Sequence, residues 1–151
     1  MEKVAVFPGS FDPITKGHES IIKRALPLFD KIVVAIGVNS SKKYMFSLEQ
    51  RLNFCKKTFG DDKISVETYE GLTIDYCSTI GAKYLLRGLR TSADFEFERG
   101  IAQMNNAMNL EIETIFMLTP PELSAISSTI VRDIIKNGGD VSQFIPKGIS
   151  L

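Results

Sequence analysis

The sequence has few groups that could hold a metal or form a disulfide framework. It contains two cysteines, one histidine and no tryptophan. Two cysteines, Cys55 and Cys77, are too few for a disulfide scaffold or a four-cysteine zinc site, so we expect both to be small buried apolar side chains. His18 has no second histidine with which to share a metal ion, and no metal ligands are predicted.

The sequence also lacks an excess of charge and any long apolar segment. Eighteen basic and eighteen acidic side chains give a formal net charge of +0, so no overall positive field attracts nucleic acid or an anionic membrane. Apolar runs such as 32–36 are far shorter than the ~20 residues of a membrane helix. No apolar stretch with a cleavage site follows Met1, so we expect a soluble, cytoplasmic protein without a secretory signal.

What the sequence does contain is a regular alternation of strand and helix patterns. Its 151 residues, 44% of them hydrophobic, predict one domain covering 1–151. Strand-like runs lie at 4–7, 31–37, 64–68, 84–86 and 112–118. Helical patterns begin at His18 and after Ser47, and others cover 72–80, 94–109 and 127–136. The run from Lys31 to Gly37 is apolar throughout, which is typical of a parallel strand buried on both faces. The order predicts an α/β fold with a doubly wound, five-stranded parallel sheet, Rossmann-like in type.

Ligands of such sheets bind beyond the carboxyl ends of the strands, so the loops that follow strands carry the functional information. The first, from Pro8 to Gly17, has glycines that let backbone amides approach an anion, and a helix begins directly after it. Its glycine spacing fits neither the dinucleotide fingerprint nor the Walker A loop. The segment is either a phosphate site or an ordinary tight strand-to-helix connection.

His18 stands at the start of that helix. Its ring is either satisfied within the protein or donates a hydrogen bond to a non-bridging phosphate oxygen that gains charge in a transition state. Its place beside a phosphate-sized loop favours the second interpretation.

The other three loops carry cations or hydroxyls. Lys42 and Lys43 lie in the loop 39–43, which is either a phosphate contact or a solvated turn. The segment 87–90 places two guanidinium groups around a glycine, a pattern that favours polyphosphate recognition over surface ion pairs. The segment 124–129 supplies more hydroxyls than N-capping needs and forms a second anion-binding helix start. No loop offers a serine or cysteine nucleophile with a base.

These motifs resemble those of a known group. Thr15-Lys16-Gly17-His18 has the TxGH form of the HxGH motif of the nucleotidyltransferase superfamily, and ISST at 126–129 is similar to its second signature. Within that superfamily, five segments together resemble the phosphopantetheine adenylyltransferase family. They are PGSFDP at 8–13, SKK at 41–43, RGLR at 87–90, DFEFE at 94–98 and ISSTIVR at 126–132. Nicotinamide mononucleotide adenylyltransferases share the first and last segments, and the middle three separate the two families. Ser10 stands where threonine is also common, and Thr129 where serine is common.

The resemblance implies transfer of AMP from ATP to 4′-phosphopantetheine, with dephospho-coenzyme A and pyrophosphate as products. It also implies Mg²⁺ held mainly by ATP phosphates and water, a homohexamer, and feedback inhibition by coenzyme A. A phosphate monoester has a second pKa of about 6 and is already nucleophilic at neutral pH, so no general base is needed. Two alternatives stay open, adenylation of nicotinamide mononucleotide and a nucleotide sensor without turnover.

The resemblance also implies roles for individual residues. The catalytic groups are His18, as transition-state stabiliser, Lys42 and Arg90. The acceptor is bound by Ser10, Lys42, Thr73 and Arg87. ATP is bound by Ser10, Phe11, His18, Gly88, Leu89, Arg90, Glu98, Leu123, Ser124, Ala125, Ile126, Ser127, Ser128 and Thr129.

Overall fold

A computed structural model describes all residues 1–151 and contains one parallel sheet. Its strands are β1 Val4–Gly9, β2 Lys31–Gly37, β3 Ile64–Tyr69, β4 Tyr84–Leu89 and β5 Glu113–Leu118. The helices are α1 Lys16–Ala25, α2 Leu48–Thr58, α3 Thr73–Ile80, α4 Ser92–Met108 and α5 Ser128–Lys136, with 3₁₀ turns at Leu26–Leu28 and Pro121–Leu123. The strand order is β3-β2-β1-β4-β5, which confirms the predicted α/β architecture with a five-stranded parallel sheet.

Local sequence explains where several elements lie. The five interior residues of β2 are at most 3% exposed, as a strand covered on both faces must be. Ser47 and Gln50 form the predicted capping box before α2, in which each side chain accepts a hydrogen bond from the other residue's backbone amide. Helix α1 ends at Ala25 because Pro27 cannot continue it, and Pro27 lies in the following 3₁₀ turn.

Two apolar layers cover the sheet. The larger one packs α1 and α2 against one face and includes Cys55, and the smaller one packs α3 against the other face and includes Cys77. Both cysteines are 0% exposed and unpaired, which confirms that they are buried apolar side chains. None of the five helices is both long enough and apolar enough to cross a membrane.

Several predicted boundaries were wrong. Helix α1 begins at Lys16 rather than His18, because Thr15 is its N-cap. Strand β4 continues to Leu89, since its last residues pair with β5, so Arg87 and Gly88 lie in the strand and not in the loop after it. A Cβ on Gly88 would stand 3.0 Å from Cγ1 of Ile21, so glycine lets α1 pack closely against the strand.

The order in which strands are added to the sheet changes direction at β1. This strand has β2 on one side and β4 on the other, so the helices that follow β1 and β4 leave a crevice at its carboxyl end. In open parallel sheets such a switch point is where ligands bind. The crevice lies between the first loop, which follows β1, and the end of β4.

Candidate active site

Two cavities adjoin each other at this crevice. The first has a volume of about 380 Å³ and the second about 360 Å³. Five residues line both of them: Pro8, Gly9, Ser10, Lys42 and Arg87. A ligand in one cavity can therefore lie next to a ligand in the other along this shared wall.

The shared wall carries a direct contact between its lysine and its serine. Lys42 Nζ donates to Ser10 Oγ at 3.0 Å. The backbone N–H of Lys42 donates to the carbonyl of Asn39, whose side chain accepts from the amide and the hydroxyl of Ser41. These turn contacts, which asparagine commonly makes, direct the lysine across the crevice toward the loop after β1.

His18 and Thr15 form reciprocal hydrogen bonds at the start of α1. Thr15 Oγ1 accepts from the backbone N–H of His18, and the backbone N–H of Thr15 donates to His18 Nδ1 at 3.0 Å. Because Nδ1 accepts a hydrogen bond, the neutral ring carries its proton on Nε2. The ring packs against Phe11 at a centroid distance of 5.0 Å and lines the second cavity.

The environment of His18 keeps its ring neutral. Burial, with smaller contributions from the positive charges of Arg87 and Arg90, lowers its pKa from 6.5 to about 4. At neutral pH the imidazole is therefore uncharged and offers one N–H donor. Such a group can stabilise a developing negative charge by donating a hydrogen bond, without accepting a proton as a base.

Arg87 is fixed by protein contacts on three of its donors. It forms a two-pronged ion pair with Glu98, and its Nη1 donates to the carbonyl of Pro8 at 2.8 Å. Glu98 lines the first cavity and not the second. The pair thus lies beside the shared wall, with the carboxylate on the side of the first cavity.

Basic side chains concentrate on the second cavity. Its wall carries Lys42, Arg87, Arg90 and Arg132, together with the start of α5. Ser127 caps that helix by accepting from the backbone N–H of Ile130. Arg87 and Arg90 also form ion pairs, with Glu98 and Asp94, so the surface ion pairs that the sequence pattern disfavoured are present as well. Four cations and a helix N-terminus at one cavity are nevertheless suited to a polyphosphate.

Most of the predicted site residues come together, though not all line a cavity. The wall of the second cavity includes Ser10, Phe11, His18, Gly88, Arg90, Ile126, Ser127, Ser128 and Thr129. The wall of the first includes Ser10, Lys42, Thr73, Arg87 and Glu98, so Glu98, which was expected at the ATP site, lies instead with the expected acceptor residues. Neither wall includes Leu89, Leu123, Ser124 or Ala125. Leu89 is only 7% exposed, and Leu123 and Ser124 close the 3₁₀ turn after β5.

Arg132 was assigned no role from the sequence, although the ISSTIVR motif ends on it. It lines the second cavity, where Nη1 donates to the carbonyl of Asp12 at 2.8 Å and Nη2 to Thr129 Oγ1 at 3.3 Å. Its position three residues after Thr129 on a helix was a usable signal, because such residues share a face. Tyr69 and Asn105 of the first cavity gave no such signal, since they come from distant parts of the chain.

The chain is similar to known nucleotidyltransferases in sequence. The cytidylyltransferase-like family model matches residues 6–134. The chain is 60% identical to the phosphopantetheine adenylyltransferase of Flavobacterium psychrophilum over 96% of each chain. It is 58% identical to that of Flavobacterium johnsoniae, over 96% of this chain and 95% of the relative. A bifunctional NMN adenylyltransferase/ADP ribose pyrophosphatase from Francisella tularensis, 20% identical, superposes with a TM-score of 0.72 over 99% of this chain and 46% of its own. At that identity the likeness shows the fold alone.

Proposed function

The chain belongs to the cytidylyltransferase-like family and, within it, to the phosphopantetheine adenylyltransferases, and from this membership we infer its reaction. The enzyme transfers AMP from ATP to 4′-phosphopantetheine, giving dephospho-coenzyme A and pyrophosphate. It is a nucleotidyltransferase of coenzyme A biosynthesis.

We propose that the second cavity binds ATP and that the first binds the acceptor. The observation that carries this assignment is the shared wall at Ser10, Lys42 and Arg87, where two phosphates can meet. The second cavity has the cations and the helix start that a triphosphate needs. The first adds apolar and amide groups, such as Ile101 and Asn105, which suit the long uncharged arm of the acceptor.

The reaction then needs alignment more than acid–base chemistry. An oxygen of the acceptor phosphate, mostly dianionic at neutral pH, forms a bond to the α-phosphorus of ATP. The bond from that phosphorus to the β-phosphate bridging oxygen breaks, and pyrophosphate leaves with the electron pair. In such transfers the protein supplies positioning and neutralises charge.

These positions support the catalytic roles that the family resemblance implies. His18 donates its Nε2 proton in a hydrogen bond to a non-bridging oxygen of the α-phosphate, where charge increases in the transition state. Lys42 neutralises phosphate charge at the shared wall, and Arg90 does so on the ATP side. Ser10 and Arg87 hold the acceptor phosphate, and Thr73 contacts the acceptor from the far side of the first cavity.

The second cavity suits a magnesium ion that arrives with ATP. Its only acidic residue is Asp12, whose two carboxylate oxygens already accept from the backbone amides of Met45 and Phe46. The ion is then held by phosphate oxygens and water, the usual mode for nucleotide-bound magnesium. When bound, it neutralises charge on the triphosphate.

We also propose that the protein is a homohexamer. One face of α4 leaves large apolar side chains in solvent, with Phe97 71%, Met104 67% and Met108 55% exposed. An apolar patch of this kind is typical of a surface that another copy covers. Sedimentation analysis of the wild type and of Phe97→Glu tests it, and a wild-type mass other than that of six chains would refute it.

The remaining features of the proposal concern regulation and location. Coenzyme A combines an adenine nucleotide with a phosphopantetheine arm, so it can span both cavities and compete with both substrates. The enzyme works in the cytoplasm, where its nucleotide substrate is supplied. The whole chain, 1–151, acts as one nucleotidyltransferase domain.

A pyrophosphate-release assay tests the function directly. Purified enzyme with ATP and Mg²⁺ receives 4′-phosphopantetheine in one reaction and nicotinamide mononucleotide in a parallel one. We expect release with the first acceptor only. Faster release with the second would assign the first cavity to a nucleotide acceptor, and no release with either would favour a nucleotide sensor. His18→Ala serves as the inactive control for contaminating activities.

A further inference from the structure

We propose that Arg51 is a positioning residue of this active site. It lies behind the cavity wall and fixes the Lys42 loop, residues 38–46, relative to Ser10. The inference rests on the proposed function, in which Ser10 and Lys42 meet the acceptor phosphate. Arg51 itself lines neither cavity, so its effect must pass through the residues it holds.

Arg51 joins two loops that are distant in the chain. It lies in the first turn of α2 and is only 2% exposed. Its Nη1 donates to the carbonyl of Ser10 at 2.9 Å, and its Nε donates to the carbonyl of Phe46 at 3.2 Å. The planar guanidinium sets the angle between these two bonds, which a lysine ammonium cannot do.

A ring contact extends the linkage toward the catalytic lysine. The guanidinium carbon of Arg51 lies 3.8 Å from the centroid of the Tyr44 ring, and Nζ of Lys42 lies 5.5 Å from that centroid. Tyr44 lines the first cavity. Two cations therefore contact one aromatic ring, which restrains the loop on the side where the acceptor binds.

Asp12 holds the same loop from the other direction. Its carboxylate is 4% exposed, and it accepts from the backbone amides of Met45 and Phe46, both at 2.9 Å. The amide of Phe46 is thus tied to Asp12, and its carbonyl to Arg51. Phe46, the last residue of the Lys42 loop, therefore has both its backbone N–H and its carbonyl bonded to buried side chains.

Arg51 is a buried cation without a carboxylate partner. It takes part in none of the five ion pairs of the protein, and it donates its hydrogen bonds to two backbone carbonyls. A buried cation is costly to desolvate, and here only two carbonyl hydrogen bonds offset that cost. The arrangement is explained if the guanidinium sets the separation between Ser10 and Lys42, whose side chains meet at 3.0 Å.

The test compares Arg51→Lys and Arg51→Met with the wild type in steady-state kinetics for both substrates. A misplacement of about 1 Å in an active site can lower the rate roughly 10²-fold. We expect kcat to fall by that order in Arg51→Met, with a smaller loss in Arg51→Lys and a nearly unchanged KM for ATP. Phe59→Ala, which removes a buried ring at the other end of α2, is the control for lost stability. Activity is measured where every variant is folded.

Two further measurements separate positioning from a general loss of structure. In the Lys42→Ala background, Arg51→Met should lose most of its effect on kcat, because coupled residues are not additive. Hydrogen exchange at the amides of 39–46 should accelerate in Arg51→Met and not in Phe59→Ala. A rate loss equal to that of Phe59→Ala, full additivity with Lys42→Ala, or unchanged exchange would overturn the inference. An inactive wild type would instead overturn the proposed function, and the exchange data would still decide whether Arg51 holds the loop.

Discussion

Arg87 and Glu98 form a two-pronged ion pair at the edge of the first cavity, with Nη2 to Oε1 at 2.6 Å and Nε to Oε2 at 3.0 Å. A third donor, on Nη1, is taken by the carbonyl of Pro8. A guanidinium has five N–H donors, so two stay free for a phosphate. The carboxylate therefore orients Arg87 toward the shared wall and leaves part of its binding capacity unused.

Replacing Glu98 with glutamine should weaken acceptor binding and spare ATP. Glutamine can accept only one of the two bonds, and its NH₂ group faces a donor, so Arg87 loses its fixed orientation. We expect the KM for the acceptor to rise about 10-fold, the effect of losing about 1.4 kcal/mol. Glu96→Gln is the matched control, since Glu96 pairs with Arg99 on the exposed side of the same helix. A larger rise in the KM for ATP would place Glu98 in the nucleotide site.

The fold was largely predictable because its signals are local. The unbroken apolar run of β2 and the capping box of Ser47 and Gln50 depend on neighbouring residues, and both were read correctly. The end of β4 was missed because Arg87 and Gly88 have loop-like composition, and only pairing with β5 makes them strand. The order of the strands is a tertiary property that periodicity does not contain.

The site was predictable where a motif marks it and not where it depends on packing. The loops with Ser10, His18 and Lys42 were candidates for phosphate binding from residue type and place, with ordinary turns as the alternative, and the structure brings them to one crevice. The buried side chains that hold these loops in place were not predicted. The buried contacts of Asp12 and Arg51 join segments more than 30 residues apart, and no spacing rule connects them.

Lys42→Met should impair the acceptor step more than ATP binding. The side chain is long enough to keep its packing, but it loses the charge and the bond to Ser10 Oγ. We expect kcat/KM for the acceptor to fall roughly 10²-fold, about 2.7 kcal/mol, with a smaller change for ATP. Lys43→Met, at the exposed neighbouring position, is the control. An equal loss for both substrates would assign the ammonium to the triphosphate instead.

The two cysteines should be chemically silent in the folded protein. Burial raises the pKa of Cys55 to about 12 and that of Cys77 to about 11. At pH 8 only about one thiol in 10³ or fewer is then a thiolate, the reactive form. We expect no labelling by a thiol reagent until the protein is unfolded, and full turnover after exposure to the reagent. Rapid labelling of native protein with loss of activity would contradict this.

The neutral state of His18 should make part of the stability depend on pH. Its folded pKa of about 4 lies below the ordinary 6.5, so the unfolded chain binds the proton more tightly. The stabilisation is fully present above pH 6.5 and declines as pH falls toward 4, by up to about 3 kcal/mol. His18→Gln lacks this titration. We expect the difference in unfolding free energy between wild type and variant to shift over this window, and a constant difference would contradict the lowered pKa.

The pH dependence of the rate distinguishes a hydrogen-bond donor from a general base at His18. A ring with a pKa of about 4 does not change its charge between pH 5 and 8, whereas the acceptor phosphate loses its second proton at about pH 6. We therefore expect kcat/KM for the acceptor to rise through pH 6 in the wild type. His18→Gln keeps an N–H donor, so its rate should be lower but should rise through the same pH range. His18→Ala, with no donor, should bind ATP nearly normally and lose about 10²–10³ in kcat. If the rise through pH 6 disappeared in His18→Gln, the imidazole would be the titrating base, and the donor role would have to be abandoned.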